Sequence, residues 1–313
     1  MKLRLASTIC LAATLCPERA LAQQDPSFSH YWAMETAFNP ASVGKRDVIN
    51  VAGAYNMTLA GFEHNPRTMY VAADMPFMLL RSRHGAGLQI VNDQIGLFRH
   101  QKLSVQYAYK PRLFGGTMSI GLQAGLISET FNGSELDIET AGDPAFATGE
   151  AKGTGVDLCA GLYYQRPGWY VGASALHLTA PTILIGETTE MKVARAYYLT
   201  AGGNIKLRTP LLSLQPSVLA RTDEVGWRVD CTCRMTYTHD NTMLYAALGY
   251  APTISVTAYV GALFHGVIFG YSYEAYTGAV RIGNGSHELF VGYQTHIDLK
   301  KKGRNRHQTP RIL

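Results

Sequence analysis

From about residue 48 to 298 the chain alternates apolar and polar positions with a period of two, the pattern of strands rather than helices. Met118, Ile120, Leu122, Ala124 and Leu126 interleave with Thr117, Ser119, Gly121, Gln123 and Gly125. Leu103, Val105, Tyr107 and Tyr109 alternate with Lys102, Ser104, Gln106, Ala108 and Lys110. Near the end, His287, Leu289, Val291, Tyr293 and Ile297 oppose Glu288, Phe290, Gly292, Gln294, His296 and Asp298. One face of each segment suits lipid, and the other suits a watery or packed lumen. Such segments begin near Val48, Thr68, Gly85, His100, Gly116, Thr154, Trp169, Ala194, Leu212, Gly226, Thr242, Thr253, Gly266 and Ser286. They predict roughly fourteen strands of about ten residues, the length a tilted strand needs to cross a membrane.

The connections sharpen this picture. Ser128 to Gly153, Thr179 to Val193 and Tyr276 to Gly285 are long, whereas Arg166-Pro-Gly168 and Arg208-Thr-Pro210 are short; Ala251-Pro252 is short where a long one is due. Outer-membrane barrels alternate long outside loops with short periplasmic turns. A soluble sandwich has no reason to do so, and it has edges to protect that a closed barrel lacks. The expected fold is all-β, a transmembrane antiparallel β-barrel of roughly fourteen strands, with both termini periplasmic.

Ahead of the first strand, residues 1–22 read as a secretory signal: Lys2 and Arg4, an apolar stretch from Ile9 to Leu15, and Ala20-Leu-Ala22 as the cleavage site. Residues 23–47 form an amino-terminal segment, periplasmic or folded into the lumen, 48–299 the barrel, and 300–313 a basic tail. That tail holds Lys300, Lys301, Lys302, Arg304, Arg306 and Arg311 and no acid. It accounts for the formal charge of +5, because acids outnumber basic residues in the body of the mature chain. The basic balance therefore gives no reason to expect nucleic acid as a partner; the tail is a solvated segment or one that touches anionic headgroups or an acidic partner.

Charged residues make up 16% of the chain, with 31 Gly, 18 Tyr and 11 Phe. That charge content is low against a globular norm of about 25%, as suits strands with one lipid face. Tyr107, Tyr109, Tyr163, Tyr164, Trp169, Tyr170, Tyr197 and Tyr198 lie near strand ends and suit interfacial girdles or core packing equally. Cys10 and Cys16 fall in the signal; Cys159, Cys231 and Cys233 read as small apolar fillers, their spacing fitting neither a zinc site nor a disulfide framework.

No phosphate loop, H-E-x-x-H zinc helix or G-x-S-x-G nucleophile elbow is present, and no cofactor is implied. Ser286-His287-Glu288 brings a hydroxyl, an imidazole and a carboxylate together, but on a strand Ser286 and Glu288 share one face and His287 the other, so no triad forms. Glu135, Asp137, Glu139 and Asp143 form an acidic patch that reads as a solvated loop rather than a calcium site. Asn39-Pro40 and Asn65-Pro66 are turn formers, and Asp74, before Met75-Pro76-Phe77, caps a strand end.

Taken in order, a series of short motifs resembles the PorP/SprF family of the Bacteroidetes type IX secretion system. They are Gln23-Gln-Asp-Pro-Ser-Phe-Ser-His-Tyr31, Phe38-Asn-Pro-Ala41 with Gly44, Asn65-Pro-Arg-Thr68, Asp74-Met-Pro-Phe77, Asn92-Asp-Gln-Ile-Gly96 and Tyr107-Ala-Tyr-Lys110. Later come Ser174-Ala-Leu-His-Leu178, Pro216-Ser217, Gly270-Tyr-Ser-Tyr-Glu274 and Gly285-Ser-His-Glu-Leu289. His30 stands where the family often has Gln, and Glu274 where Asp is usual. The resemblance implies a non-enzymatic outer-membrane barrel that supports export or surface attachment of secreted proteins, including gliding adhesins. Its implied partners are periplasmic and outer-membrane secretion components, a secreted cargo protein and membrane lipid. The matching positions Asn39, Pro40, Asn65, Pro66, Arg67, Asp74, Pro76, Phe77, Asn92, Asp93, Ser286, His287 and Glu288 are then structural or partner-binding residues. The loops would face cargo, and the amino-terminal segment and tail the periplasm. A transporter or porin for small solutes is the alternative on the same fold, and an outer-membrane hydrolase using Ser286 and His287 is a more distant one.

Overall fold

A computed structural model describes residues 25–133, 149–186, 189–223, 226–278 and 284–299. The signal sequence, the acidic patch at Glu135, Asp137, Glu139 and Asp143, and the basic tail lie outside the described residues. Fourteen strands follow one another around a ring: β1 (Val48–Met57), β2 (Arg67–Leu79), β3 (Ser82–Ile95), β4 (Phe98–Lys110), β5 (Gly116–Asn132), β6 (Glu150–Arg166) and β7 (Trp169–Leu176). Then come β8 (Ala196–Gly203), β9 (Leu212–Thr222), β10 (Trp227–His239), β11 (Thr242–Ala251), β12 (Ser255–Phe264), β13 (Val267–Tyr276) and β14 (Ser286–His296). Each pairs antiparallel with its neighbours in sequence, and β1 pairs with β14 from Val48 opposite His296 to Met57 opposite His287, which closes the sheet. Closure satisfies every ladder without an edge, as a bilayer requires. All fourteen strands foreseen from the alternation are present, each starting within a few residues of its expected position.

The alternation sorts side chains as expected. Leu122, Val105, Leu289, Val291 and Leu248 project outward, exposed to the surrounding lipid, while Lys102, Gln106, Ser119, Gln123 and Glu288 between them are buried inside. Cys231 and Cys233 share the outer face of β10. The aromatic girdle is smaller than the sequence suggests. Of Tyr163-Tyr164 and Tyr197-Tyr198, the first in one pair and the second in the other turn inward, so Tyr163 and Tyr198 are buried in the lumen, with Tyr170 stacked on Tyr163. Adjacent strand residues point to opposite faces, so two consecutive tyrosines cannot both meet lipid.

One end of the barrel carries the longer connections, 58–66, 133–149, 177–195 and 277–285. The other carries two-residue turns such as Leu80–Arg81 and Pro167–Gly168. The strand termini Val48 and His296 meet at this second, short-turn end. Beyond β7, the hairpin of Thr182–Ile185 and Thr189–Lys192 folds over the long-loop mouth. Its Ile183 and Ile185 pack on inward-facing Ile127.

Candidate functional site

The lumen is the site, because the chain's own residues 25–47 run through it. The segment has no strand or helix periodicity and forms two short 3-10 turns, Glu35–Ala37 and Pro40–Ser42. Buried polar groups in such a segment need partners, on the wall or within the segment itself. The segment meets the wall at three levels.

At the long-loop end the contacts are charged. The Glu288 carboxylate accepts from the backbone N–H groups of Ser29 and His30, both at 2.8 Å, and pairs with His30 Nδ1 at 2.7 Å; both side chains are almost fully buried. His177, just past β7, lies 3.0 Å from Asp25 and 3.1 Å from Asp157 of β6. Tyr198 donates to Asp25 at 3.1 Å, and Arg221 donates to Ser27 Oγ at 2.7 Å. Burial alone would raise the Asp25 carboxyl, but His177 and Lys102 beside it hold it below the usual carboxylate range. Burial likewise opposes charge on His177, yet Asp25 and the contact with Asp157 raise it to about 9.

In the middle, apolar side chains of the segment fill the bore. Met34 and Phe28 pack with Tyr70, Val91, Ile268 and Phe290, and Tyr31 and Phe38 pack with Leu176, Tyr198 and Leu219. Trp32 lies against Tyr259, with the Arg234 guanidinium 5.0 Å from its ring. A cavity of about 30 Å³ remains between Asp25, Lys102, Arg221 and these rings. It has room for a water molecule or two, not for a solute.

At the short-turn end the fit is between backbones. Gly121 and Gly85 face Ala41 and Val43 so closely that a Cβ at either position would overlap main-chain atoms of the segment. Asn39 Oδ1 accepts from Ala41 N at 2.9 Å, capping the second turn, while its Nδ2 donates to Leu162 O on β6. Asp74 accepts from Gly44 N at 2.8 Å and from Asn50 of β1. Lys110 donates to Ala41 O at 2.9 Å, and Lys45 pairs with Glu35 at 2.5 Å.

The motif positions thus divide. Asn39, Pro40, Asp74, Pro76 and Glu288 are brought together along the seam between segment and wall. Asp93 faces inward too, accepting from Thr68 Oγ1. Asn65 donates to Thr58 O and accepts from Arg67, so Asn65-Pro66-Arg67 closes the β1–β2 connection upon itself. Phe77 stacks on His84 outside the barrel, and Asn92 accepts from Gln101. Ser286 accepts from Leu59 N, whereas His287 points outward to Tyr271. The imidazole beside Glu288 is His30, not His287, from the opposite end of the chain. Sequence reasoning missed His30, Asp25, His177, Asp157 and Lys110 as seam residues. For Asp157 and Lys110 the signal was there: on membrane strands, ionisable residues in register with the inward face are the ones that need partners.

The segment is packed inside the lumen, where its aromatic and apolar residues are buried. Asp25 lies at the long-loop end, opposite the end where the strand ends Val48 and His296 meet.

A closed wall with an apolar exterior and a polar, chain-filled interior defines an outer-membrane β-barrel protein. The family model described as type IX secretion system membrane protein PorP/SprF matches residues 20–293, and the chain belongs to that family. Membership implies association with type IX secretion components. None of the curated proteins matches the chain. Among solved structures, the CymD monoaromatic hydrocarbon channel is similar at 10% identity and a TM-score of 0.53, over 86% of this chain and 94% of the channel. The P. putida toluene transporter TodX follows at 10% identity and 0.46, over 83% of this chain and 92% of TodX. The KdgM porin stands at 8% and 0.37, over 79% and 99%. The CymD likeness bears on the fold alone.

Proposed function

We propose that this barrel serves type IX secretion as a plugged, protein-binding component that supports export or surface attachment of secreted proteins such as adhesins. The lumen carries the reading: residues 25–47 run through it from one mouth to the other, and the cavity beside them at Asp25, Lys102 and Arg221 measures about 30 Å³. Such a barrel offers surfaces rather than a bore. The short-turn end faces the periplasm and meets other secretion components there, and the long connections face outward to cargo. Residues 1–22 are the cleaved signal, 23–47 the plug, 48–299 the wall and 300–313 a basic periplasmic tail. Lipid covers the wall, and nucleic acid has no part.

Deleting the gene tests the role. Secreted proteins and surface adhesins should fall in amount at the cell surface while other outer-membrane proteins stay constant; unchanged surface proteins would overturn the reading. In planar bilayers the purified barrel should show almost no conductance, and a stable open channel would restore the solute-transport alternative.

A further inference from the structure

Leu80 and Phe114 are the most exposed large apolar residues among the described ones, at 89% and 87%. Both stand in turns at the short-turn end, on neighbouring hairpins, and both have left-handed backbones, φ 49° and 51°, that bulky side chains rarely adopt. An apolar tip held in a disfavoured conformation needs a reason. The surroundings supply one. Tyr164, on the outer face of β6, donates to Phe114 O at 2.9 Å and lies beside Trp169, with ring centroids 5.6 Å apart. Tyr and Trp on an outer wall mark headgroup depth, so Phe114 sits at the membrane interface and not out in the periplasm. Leu79 and Leu113 continue the apolar surface from these tips into the lipid-facing wall.

The same sector is cationic. Arg81 and Arg112 are exposed and have no partner among the described residues, and Arg166 leans over the Phe114 turn with its Nε directed at Gly115 O. No Asp or Glu occurs between Met75 and Asn92, between Gln94 and Ser128, or between Leu158 and Gly186. The nearby Asp47 is already paired with Arg83 at 2.8 Å. Planar guanidinium groups beside interfacial aromatic rings match a phosphate on a lipid anchor, because the phosphate takes the donors and the acyl chains take the apolar wall.

We propose that the short-turn rim below β2 to β7, formed by Arg81, Arg112, Leu113, Phe114 and Arg166, binds the headgroup of an anionic phospholipid of the inner leaflet. The choice of leaflet rests on the orientation given above; the site itself does not.

The test uses the full-length protein in nanodiscs of phosphatidylcholine with a minority of phosphatidylglycerol. Lipid retained after transfer to detergent is measured by native mass spectrometry. The wild type should keep phosphatidylglycerol in preference. The combined variant Arg81→Gln, Arg112→Gln and Arg166→Gln should lose that preference by about fivefold for each arginine removed. Lys206→Gln with Arg208→Gln, at the same end but in another sector, should leave it intact. Heat-modifiable migration on gels checks that every variant is folded. Equal retention of both lipids by the wild type, an unchanged preference in the triple variant, or full competition by soluble glycerol 3-phosphate would each overturn the proposal. So would loss of a co-purifying protein from the triple variant with its lipid preference intact. None of these measurements involves secretion, so failure here leaves the proposed role standing, and the reverse holds too.

Discussion

The two ends of the plug are held by different physics. At the long-loop end, Asp25, Ser27 and His30 are tied by ions and charge-assisted hydrogen bonds to His177, Arg221 and Glu288. At the short-turn end, Asn39 to Gly44 are held mainly by the shape of a backbone lying on glycine-bared wall. The first kind of attachment depends on protonation and is lost if one partner is removed. The second rests chiefly on volume and is lost if volume is added, with the Asp74 and Lys110 contacts to Gly44 and Ala41 as its polar complement. A plug built this way is fixed at its root, where it runs into β1, and chemically adjustable at its tip.

The largest break should come from Glu288→Ala, which strands the buried backbone donors and imidazole of His30; removing one partner from such a pair costs about 3–5 kcal/mol. The denaturation midpoint should drop and proteolysis near Ser29 should rise, while His287→Ala, one residue away on the lipid face, should change stability by less than about 0.5 kcal/mol. Comparable losses in both would show that Glu288 has no special part in seating the plug. Gly121→Val attacks the other end. Overpacking there should cost about 1–3 kcal/mol and push the plug off the wall, seen as new conductance in bilayers or loss of the heat-modifiable species. Wild-type behaviour by both measures would mean that the close approach at Ala41 is not confining.

Alkali separates the ends directly. Because His177 is raised from 6.5 to about 9, its contribution is fully present below about pH 6.5 and is lost as pH rises through about 9. Asp25 works in the opposite sense: its contribution is present above its unfolded value of 3.8 and is lost only as pH falls below that. Thiol labelling of Pro26→Cys, scaled to an exposed control, should therefore increase above pH 9, while Ser42→Cys stays protected. His177→Asn should abolish the difference. Smallest of all, Asn65→Ala should cost about 1 kcal/mol, confined to the β1–β2 connection, because its hydrogen bonds are local. Hydrogen exchange in the plug should stay as it was.

Much of the wall was legible because strand alternation is a local signal, and lipid on one side keeps it clean. β5 shows it plainly, with Ile120, Leu122 and Leu126 out and Ser119, Gly121 and Gln123 in. The start of β6 was placed late, at Thr154 rather than Glu150, because its first inward positions, Ala151 and Gly153, are small residues where a polar or bulky one would mark the face. The plug was not legible in the same way. It has no period, and its partners are remote: His30 and Glu288 are 258 positions apart. Asp25-Pro-Ser, His177 and Ser286-His-Glu looked like separate motifs along the chain, yet Asp25, His177 and Glu288 are points on one seam. Only the residue type hinted at this, since a carboxylate at an inward strand position requires something opposite it.

The path of residues 25–47 also constrains how the molecule is made. The segment passes through the ring and continues without a break into β1, and β1 pairs with β14, the last strand among the described residues. Once that final seam has zipped, the leading end can enter or leave only by being drawn lengthwise past Ile183 and the other groups crowding the mouth. Laying the leader down first and shutting the hoop around it, like a cord caught in a clasp, avoids that passage. A bulky fusion ahead of Asp25 should be accepted if it waits outside the open sheet, and it should then remain stranded on the far side from the end of β14.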